Sequence, residues 1–264
     1  MNLSNVLIVY THPAIAESKV TLEIVKKVVR KYKIHFNLAD RDNLKEGQFQ
    51  NRDLIIAVGG DGTFLRAAQF VKSQLIFGVN ADVKNKEGFF MQSSKKDFEA
   101  KLKKIIGGRF SVKKMPRLEA CINNKKIETL ALNEFFVGPK KSYHAAKYVI
   151  YIGETKERQK SSGILVTTPA GSYAWSRACC KKTLNLNSDK FQFVVREPYE
   201  GKVFKNYRLG YGILGKSKKV TIISEMLDGI MIADSVGKEY SFKNGSKAVI
   251  KLSKKTLNEV WMKG

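Results

Sequence analysis

The first 110 residues alternate short apolar runs with stretches whose apolar residues recur at helical spacing. Helical spacing is found in Val20–Lys31, in the segment after Thr63 and in Lys96–Ile106. The apolar runs of strand length are Val6–Tyr10, Ile34–Leu38, Leu54–Val58 and Leu75–Val79. This alternation predicts a parallel sheet covered by helices, which is a Rossmann-like α/β arrangement. Ligands of such sheets bind at the carboxyl ends of the strands.

From Arg117 onward, short apolar runs are separated by turn residues, which predicts a β-rich C-terminal domain. The predicted strands are Leu118–Ile122, Ile127–Leu130, Glu134–Val137, Tyr148–Ile152, Ile164–Thr167, Phe191–Val195, Val220–Ile223, Ile230–Ala233 and Ala248–Leu252. Gly107-Gly108 and Lys113–Pro116 mark the crossover. We therefore expect an α/β domain over residues 1–114, with a tail at 253–264 packing back on it, and a β-rich domain over residues 115–252.

A glycine-rich turn, Gly59-Gly60-Asp61-Gly62-Thr63, follows the run Leu54–Val58 where a helical pattern begins. Glycines let the backbone approach a ligand closely, and the N–H groups that open a helix point toward an anion. Phosphate oxygens would repel Asp61, so its presence in the turn indicates a chemical role. It would accept a proton from an attacking hydroxyl, or hold a metal ion that the phosphates share. The alternative is an Asp-Gly hairpin turn, but the helical spacing after Thr63 favours the phosphate site.

Two polar segments of the β-rich half are candidate ligand contacts. Asn133-Glu134 interrupts an apolar run, and such a pair forms either a hydrogen-bonded structural clasp or a grip on the hydroxyls of a ribose. The segment from Thr168 to Ser176 joins a strand to a helix start through small residues. Tyr173 and Trp175 have the shape to flank a planar ring. The alternative is an ordinary turn whose aromatic residues belong to the core.

The net charge of the chain limits the classes of partner that it is expected to bind. Forty-eight Lys and Arg residues against 24 Asp and Glu residues give a net charge of +24, which attracts polyanions. The basic residues are spread along the chain, with no basic tail or interleaved aromatic motif, so no specific nucleic-acid site is expected. The same field should raise the encounter rate with nucleotides or polyphosphate.

Composition indicates a globular protein that works without a membrane. The 264 residues, of which 43% are hydrophobic, suffice for one large domain or two small ones. The chain lacks a run of about 18 apolar residues and begins with a strand-like run, so we expect a cytoplasmic protein. Cys121, Cys179 and Cys180 match neither a zinc ribbon nor a redox C-x-x-C, so neither disulfides nor a metal held by protein thiolates is expected.

Four motifs in this order resemble the NAD kinases, a family related to the diacylglycerol kinases and phosphofructokinases. The corresponding residues are Gly59–Thr63 for the family's GGDGT, Gly78-Val79-Asn80 with Glu87-Gly88-Phe89 for its next segment, Asn133-Glu134 for its NE pair and Thr168–Ser172 for its TPTGS turn. The resemblance covers most of the chain. Lys160–Gly163 and the insertion-like Ala81–Lys86 are closer to the mitochondrial-type branch than to typical bacterial members.

The resemblance implies transfer of the terminal phosphoryl group of ATP, or of polyphosphate, to the 2′-hydroxyl of the adenosine ribose of NAD, giving NADP. It implies Asp61 as the base, and it implies that phosphate oxygens with Mg²⁺ or another divalent cation lie against Gly59, Gly60, Gly62 and Thr63. The implied NAD contacts are Phe89, Asn133, Glu134, Ser162, Thr168, Ala170, Ala174 and Trp175. The family also implies a homodimer or homotetramer.

Three departures from the family pattern concern the NAD contacts. Ser162 stands where most members carry an Asp that contacts the nicotinamide end. Ala170 is the third residue of the TPTGS turn, and Trp175 replaces the usual tyrosine, which keeps a stacking ring but removes a hydroxyl at each position. Asp228-Gly229 resembles a late motif, but it is also a common turn and receives no role.

Two other functions compete with an NAD kinase. A related kinase of a lipid or sugar alcohol would keep the GGDGT turn but lack Asn133-Glu134 and Thr168–Ser172, so the presence of both favours NAD as the acceptor. A non-catalytic nucleotide-binding sensor would keep the fold without turnover, and the intact Asp61 favours an enzyme over a sensor.

Overall fold

The computed structural model describes residues 3–11 and 16–262, and the chain divides into two compact units. Unit 1 consists of Met1–Lys114 together with Leu257–Gly264, and unit 2 is Met115–Thr256. The last strand of the chain therefore belongs to the same unit as the first.

The elements are named in chain order. Up to residue 115 they are β1 (Asn5–Tyr10), α1 (Ala16–Lys31), β2 (His35–Asp40), β3 (Leu54–Gly59), α2 (Asp61–Ala68), β4 (Leu75–Asn80), β5 (Met91–Ser94), α3 (Phe98–Ile106) and β6 (Ser111–Met115), with a 3₁₀ turn at Glu46–Phe49. The next are β7 (Leu118–Ile122), β8 (Lys125–Lys126), β9 (Glu134–Pro139), β10 (Ala146–Ile152), β11 (Thr155–Ser161), β12 (Ile164–Thr167), a 3₁₀ turn at Gly171–Tyr173, α4 (Trp175–Cys180) and β13 (Phe191–Val195). The remainder are β14 (Tyr211–Leu214), β15 (Val220–Ser224), β16 (Gly229–Ala233), β17 (Tyr240–Ser241), β18 (Lys247–Leu252) and β19 (Leu257–Trp261).

Unit 1 is built on one seven-stranded sheet with the order β2-β1-β3-β4-β19-β6, in which β5 also pairs with β4. The pairs of β1 with β2 and β3, and of β4 with β3, β5 and β19, are parallel. One edge of β4 is shared, because β19 pairs with its beginning and β5 with its end. Apolar residues of α1 and α3, such as Val25 and Phe98, share a core with the sheet residues Val58 and Phe77. This confirms the predicted Rossmann-like α/β architecture.

The predicted strands of unit 1 are present, and the predicted helices agree within a few residues. The helix expected after Thr63 begins two residues earlier, at Asp61. Asp61 and Gly62 therefore form the first turn of a helix, and the Asp-Gly hairpin alternative is wrong. The returning strand begins at Leu257.

Unit 2 contains two six-stranded antiparallel sheets, which confirms the β-rich expectation. Their orders are β11-β10-β15-β18-β7-β8 and β14-β13-β12-β9-β16-β17. Tyr148 and Ile222 of the first sheet share one buried core with Phe135 and Phe193 of the second. Apolar side chains of both sheets thus fill a common interior.

The predicted strand Ile127–Leu130 is wrong. Asn123 and Asn124 adopt positive φ angles of 50° and 64°, and the turn they make leads into the two-residue strand β8. Ile127 is buried and its N–H still bonds to Ala120 O at 3.1 Å, but the next residues leave the sheet. The apolar run anchors a loop in the core and forms no ladder of its own.

In the part of the chain that the structure describes, none of the helices combines the length and the apolar character that crossing a lipid bilayer would require.

Candidate active site

The glycine turn of unit 1 connects β3 directly to α2. A Cβ atom at Gly59 would lie 2.2 Å from Thr63 Oγ1, so only glycine fits there. Gly60 caps the helix, and its carbonyl accepts the N–H groups of Thr63 and Phe64 at 2.9 and 3.2 Å. The described residues offer no partner to the N–H groups of Asp61 and Gly62. These two N–H groups, with the positive end of the helix dipole, form an anion site.

The Asp61 side chain is held in one orientation by the loop before β5. Its Oδ1 accepts Phe90 N–H at 2.9 Å, and its Oδ2 accepts Phe89 N–H at 3.1 Å. The ring of Phe90 stacks on that of Phe64 from α2, with the centroids 4.9 Å apart, which fixes the loop against the helix. Each carboxylate oxygen keeps a second lone pair. Asp61 is thus a positioned carboxylate at a helix N-terminus with acceptor capacity left for a ligand.

Two cationic side chains flank the same turn. Arg41, which follows β2, donates from Nη1 to Thr63 Oγ1 at 3.3 Å, and its buried Nε lies 3.7 Å from Asp42 Oδ1, beyond hydrogen-bond distance. The Lys86 stem crosses Gly60, where a Cβ would meet Lys86 Cδ at 2.9 Å. Partial burial lowers the pKa of Lys86, and Arg41 lowers it further against the attraction of Asp82. Two like charges held together beside an anion site favour an anion with more than one negative charge.

In unit 2, the predicted pair Asn133-Glu134 lies at the start of β9. Both side chains are buried, at 7% and 3% exposure. Asn133 Oδ1 and Glu134 Oε2 lack hydrogen-bond partners, and so does Oγ1 of the buried Thr167, which pairs with Glu134 across β9 and β12. Among the described residues of unit 2, these three are the buried side-chain polar atoms without a partner. Because an unpaired buried polar atom is costly, their clustering indicates hydrogen bonds to a ligand.

The turn after β12 supports this cluster through its backbone. Thr168 Oγ1 donates to Leu132 O at 2.6 Å and accepts Gly171 N–H at 3.0 Å, while Thr168 N–H bonds to Asn133 O at 2.8 Å. A Cβ at Gly171 would lie 2.0 Å from Asn133 O, so glycine alone allows the approach. The Thr168 side chain, predicted as an NAD contact, is thus engaged in holding the Asn133 segment.

The predicted contact Trp175 forms an aromatic platform with Phe136, which the sequence did not indicate, and the cation Arg196 lies against it. The rings of Trp175 and Phe136 lie 5.3 Å apart between centroids, and the Arg196 guanidinium carbon is 4.4 Å from the Trp175 centroid. Arg196 Nη1 also donates to Ser162 O at 3.4 Å. Ser162 therefore lies next to the positive charge of Arg196, which the sequence did not indicate.

The structure thus divides the predicted site residues between the units. Asp61, the glycines, Thr63 and Phe89 belong to unit 1, and the remainder to unit 2. Ala170 is buried, at 1% exposure, Ala174 is half-buried, and Phe89 is 38% exposed. Residues that the sequence reasoning missed are Arg41, Lys86, Thr167, Arg196 and Asp234.

Comparison with known proteins finds similar sequences and a similar fold among NAD and NADH kinases. The family described as ATP-NAD kinase N-terminal domain matches residues 6–110. A probable NADH kinase of Oryza sativa is 24% identical over 86% of this chain and 76% of its own length. The NAD kinase of Aeromonas salmonicida is 34% identical over 48% of this chain, which spans 44% of that enzyme. An NAD kinase from Archaeoglobus fulgidus in complex with ATP superposes with a TM-score of 0.77 at 22% identity, covering 98% of this chain and 93% of that one.

The parallel sheet with its glycine turn, followed by a β-rich second unit, defines a nucleotide-binding α/β protein equipped for phosphoryl transfer. The sequence matches add similarity to the NAD kinase family, whose N-terminal domain matches residues 6–110 of this chain. The closeness to the mitochondrial-type branch stays a prediction.

Proposed function

We propose that this protein is an NAD kinase that transfers the terminal phosphoryl group of ATP to the 2′-hydroxyl of the adenosine ribose of NAD. The observation that carries the proposal is the cluster of unpaired buried oxygens on Asn133, Glu134 and Thr167. A vicinal diol supplies two donors and several acceptors in a small volume, which suits an amide, a carboxyl and a hydroxyl. A lipid acceptor would leave these polar atoms unpaired.

The donor phosphates are assigned to the glycine turn of unit 1. The N–H groups of Asp61 and Gly62 would bind phosphate oxygens, with Arg41 and Lys86 as the flanking positive charges. Phosphoryl transfer requires positioning and charge neutralisation more than covalent help from the protein. The turn supplies both.

Asp61 is assigned as the general base. Its carboxylate would take the proton of the 2′-hydroxyl while the hydroxyl oxygen forms a bond to the terminal phosphorus of ATP. The bond from that phosphorus to the bridging oxygen breaks, and ADP leaves with the electron pair. The two backbone N–H bonds fix the carboxylate for this task.

Magnesium is proposed as the ion that accompanies the donor phosphates. The described residues contain no group of three or more His, Cys, Asp or Glu side chains that could hold a metal. Mg²⁺ usually keeps several waters and binds through substrate phosphates with few protein ligands, so the turn fits this use, with the Thr63 hydroxyl as the neighbouring oxygen. The ion would neutralise charge on the transferred phosphoryl group.

We expect Arg41→Gln to raise the KM for ATP about tenfold or more, because hydrogen bonds to charged groups contribute about 1.5 to 3 kcal/mol. The KM for NAD should change much less. Initial rates with each substrate varied in turn measure the two constants. Arg109→Gln removes an exposed arginine of the same unit and serves as the matched control. Equal KM changes in both variants would remove Arg41 from the donor site.

We expect Glu134→Ala to weaken NAD binding by about 1.5 to 3 kcal/mol, the range for lost hydrogen bonds to a charged group. Titration calorimetry with NAD measures the dissociation constant. Glu154→Ala, which removes an exposed carboxylate of unit 2, is the control. An unchanged affinity in Glu134→Ala would return Asn133-Glu134 to the structural clasp alternative.

The direct test is NADP formation by the purified protein from NAD and ATP with Mg²⁺, followed through an NADP-specific dehydrogenase. Parallel reactions with polyphosphate as donor and NADH as acceptor define both specificities. NADP formation with ATP establishes the kinase. Measurable NAD binding without product from either donor would instead favour the sensor alternative.

The resemblance supports an oligomer, and the composition supports a location in the cytoplasm. We propose a homodimer or homotetramer in the cytoplasm, with NAD as the substrate partner. Light scattering coupled to size exclusion determines the number of subunits. A monomeric mass at micromolar concentration would contradict the proposed assembly.

A further inference from the structure

Asp234 binds the main chain that carries Asn133 and Glu134. It follows β16 with a φ angle of 54° and is 3% exposed. Its Oδ2 accepts Leu132 N–H at 3.0 Å, and its Oδ1 accepts Asn133 N–H at 2.6 Å and Glu134 N–H at 3.3 Å. Asp234 N–H in turn donates to Glu134 O at 2.8 Å. Three N–H donors on one carboxylate stabilise its ionised form.

A second carboxyl group lies beside this carboxylate with much weaker support. Glu134 Oε1 accepts Ser235 Oγ at 3.4 Å, and Oε2 has no partner. Burial raises the pKa of Glu134 to about 8, the negative charge of Asp234 contributes in the same direction, and Ser235 lowers it slightly. Of the two neighbours, Glu134 is therefore the group that holds a proton at neutral pH.

Arg117 is a cation whose charge acts on Asp234. Arg117 is buried and donates to the carbonyls of Lys255 and Thr256 at 3.2 and 3.0 Å. Burial raises the pKa of Asp234, while the three N–H donors and the attraction of Arg117 act against that rise. Arg117 therefore balances the charge of Asp234, and no cation of the described residues does the same for a second negative charge on Glu134.

We propose that Glu134 carries a proton in the free protein while Asp234 is ionised, and that binding of the acceptor's ribose diol releases this proton to solvent. This inference rests on the proposed function, since it places the diol at Glu134. Two hydroxyl donors would take the place of the proton on the carboxyl oxygens and stabilise the ionised Glu134 through charge-assisted hydrogen bonds. Glu134 loses a proton to the buffer, and no other bond changes. Asp234 acts as a positioning residue that also sets the protonation of its neighbour.

Acceptor affinity should then depend on pH in a defined direction. Below the pKa of Glu134, releasing one proton makes binding stronger by up to about tenfold per pH unit as the pH rises. Above that pKa the dependence should level off, because Glu134 is already ionised. A neutral hydrogen-bonding role for Glu134 predicts no such slope.

The test is calorimetric titration of the full-length protein with NAD at pH 7 in buffers of different ionisation enthalpy. The slope of binding enthalpy against ionisation enthalpy counts the protons released. We expect more than half a proton for the wild type, a value near zero for Glu134→Gln, and the wild-type value for Glu154→Gln. Asp234→Asn should release fewer protons, because it removes the neighbouring charge.

The outcomes separate this inference from the proposed function. NAD binding without proton release would overturn the protonated Glu134 and leave the kinase proposal standing. Absence of NAD binding would contradict both. Because Asp234→Asn also weakens the main-chain bonds, Ser235→Ala provides a second variant at an exposed residue. Its loss of a donor should raise the pH at which affinity levels off, and an unmoved pH profile would count against the protonated Glu134.

Discussion

Asp61→Asn is expected to lower kcat for NADP formation by about 10²- to 10⁴-fold, the range that a positioned general base contributes. The amide keeps the size of the carboxylate but cannot accept the proton of the 2′-hydroxyl. NAD binding should stay nearly intact, because the proposed ribose contacts belong to Asn133, Glu134 and Thr167. Coupled-assay kinetics and calorimetric titration with NAD on the same preparation measure the two quantities.

The structure also defines what the substitution disturbs. The amide oxygen that Asp61→Asn introduces would keep one of the bonds from Phe89 and Phe90, while the amide NH₂ group would face the other N–H. A melting temperature close to that of the wild type would show that the loop before β5 tolerates this change. Asp189→Asn, at an exposed position, controls for the charge. Turnover near the wild-type rate in a folded Asp61→Asn protein would remove Asp61 from the mechanism.

The fold was predictable because its main signals are local. Alternating strand and helix periods up to residue 110 reflect parallel strands buried on both faces, as in β3, where every residue is buried. The strand β11 was not predicted, because its sequence is polar along its whole length. It pairs only with β10 at an edge of its sheet, where most of its side chains contact solvent. Edge strands lack the apolar period on which the prediction depends.

The centre of the candidate site was predictable for a similar reason. Asp61 and its glycines adjoin a buried strand and open a helix, and that change of period is visible in the sequence. The flanking cations were not predictable, because Arg41 follows β2, and the sheet order β2-β1-β3 that brings it toward Thr63 is a tertiary property. Among 48 Lys and Arg residues, nothing in the sequence distinguishes Arg41 or Lys86.

The sequence around Asp234 contains a weak signal of its role, which was not used in the prediction. It ends the apolar run of β16, where an acidic residue is out of place. Its partners Leu132, Asn133 and Glu134 lie 100 to 102 positions earlier, so pairing them required the register of β9 against β16. The sequence therefore indicated Asn133 and Glu134, but neither Thr167 beside them nor Asp234, which holds their main chain.

Glu259 presents the same kind of signal within unit 1. It lies in β19 next to the buried Val260 and is 1% exposed. Its Oε1 accepts Gln92 Nε2 at 3.4 Å, and its Oε2 has no partner among the described residues. Burial raises the pKa of Glu259 to about 8, with Lys113 and Gln92 lowering it and Asp61 raising it. A buried carboxyl group of this kind makes the stability of unit 1 depend on pH.

Proton linkage gives the direction in which the stability of unit 1 changes with pH. A carboxyl group whose pKa rises from 4.5 in the unfolded chain to about 8 in the folded protein contributes stability below pH 4.5 and loses it as the pH rises through 8. Glu259→Gln has no proton to lose. Its free energy of unfolding should equal that of the wild type near pH 4.5 and exceed it by about 3 kcal/mol at pH 7.

Urea unfolding followed by tryptophan fluorescence measures this difference in the unit concerned. Trp175 and Trp261 are the two tryptophans, so a Trp175→Phe background leaves Trp261, two residues from Glu259, as the reporter. Glu154→Gln, at an exposed position, should show no pH-dependent difference from the wild type. A Glu259→Gln difference that is constant from pH 4.5 to 8 would contradict the buried, protonated carboxyl.

The same measurement links the two carboxyl groups of unit 1. Because the charge of Asp61 contributes to the raised pKa of Glu259, Asp61→Asn should shift the pH at which Glu259 loses its proton to lower values. The change in stability that Glu259→Gln causes should therefore be smaller at about pH 9, above the folded-state pKa of Glu259, in the Asp61→Asn background than in the wild type. An equal change in both backgrounds would mean that the two groups titrate independently. A reduced one would show that the proposed catalytic carboxylate and the protonated Glu259 act on each other within unit 1.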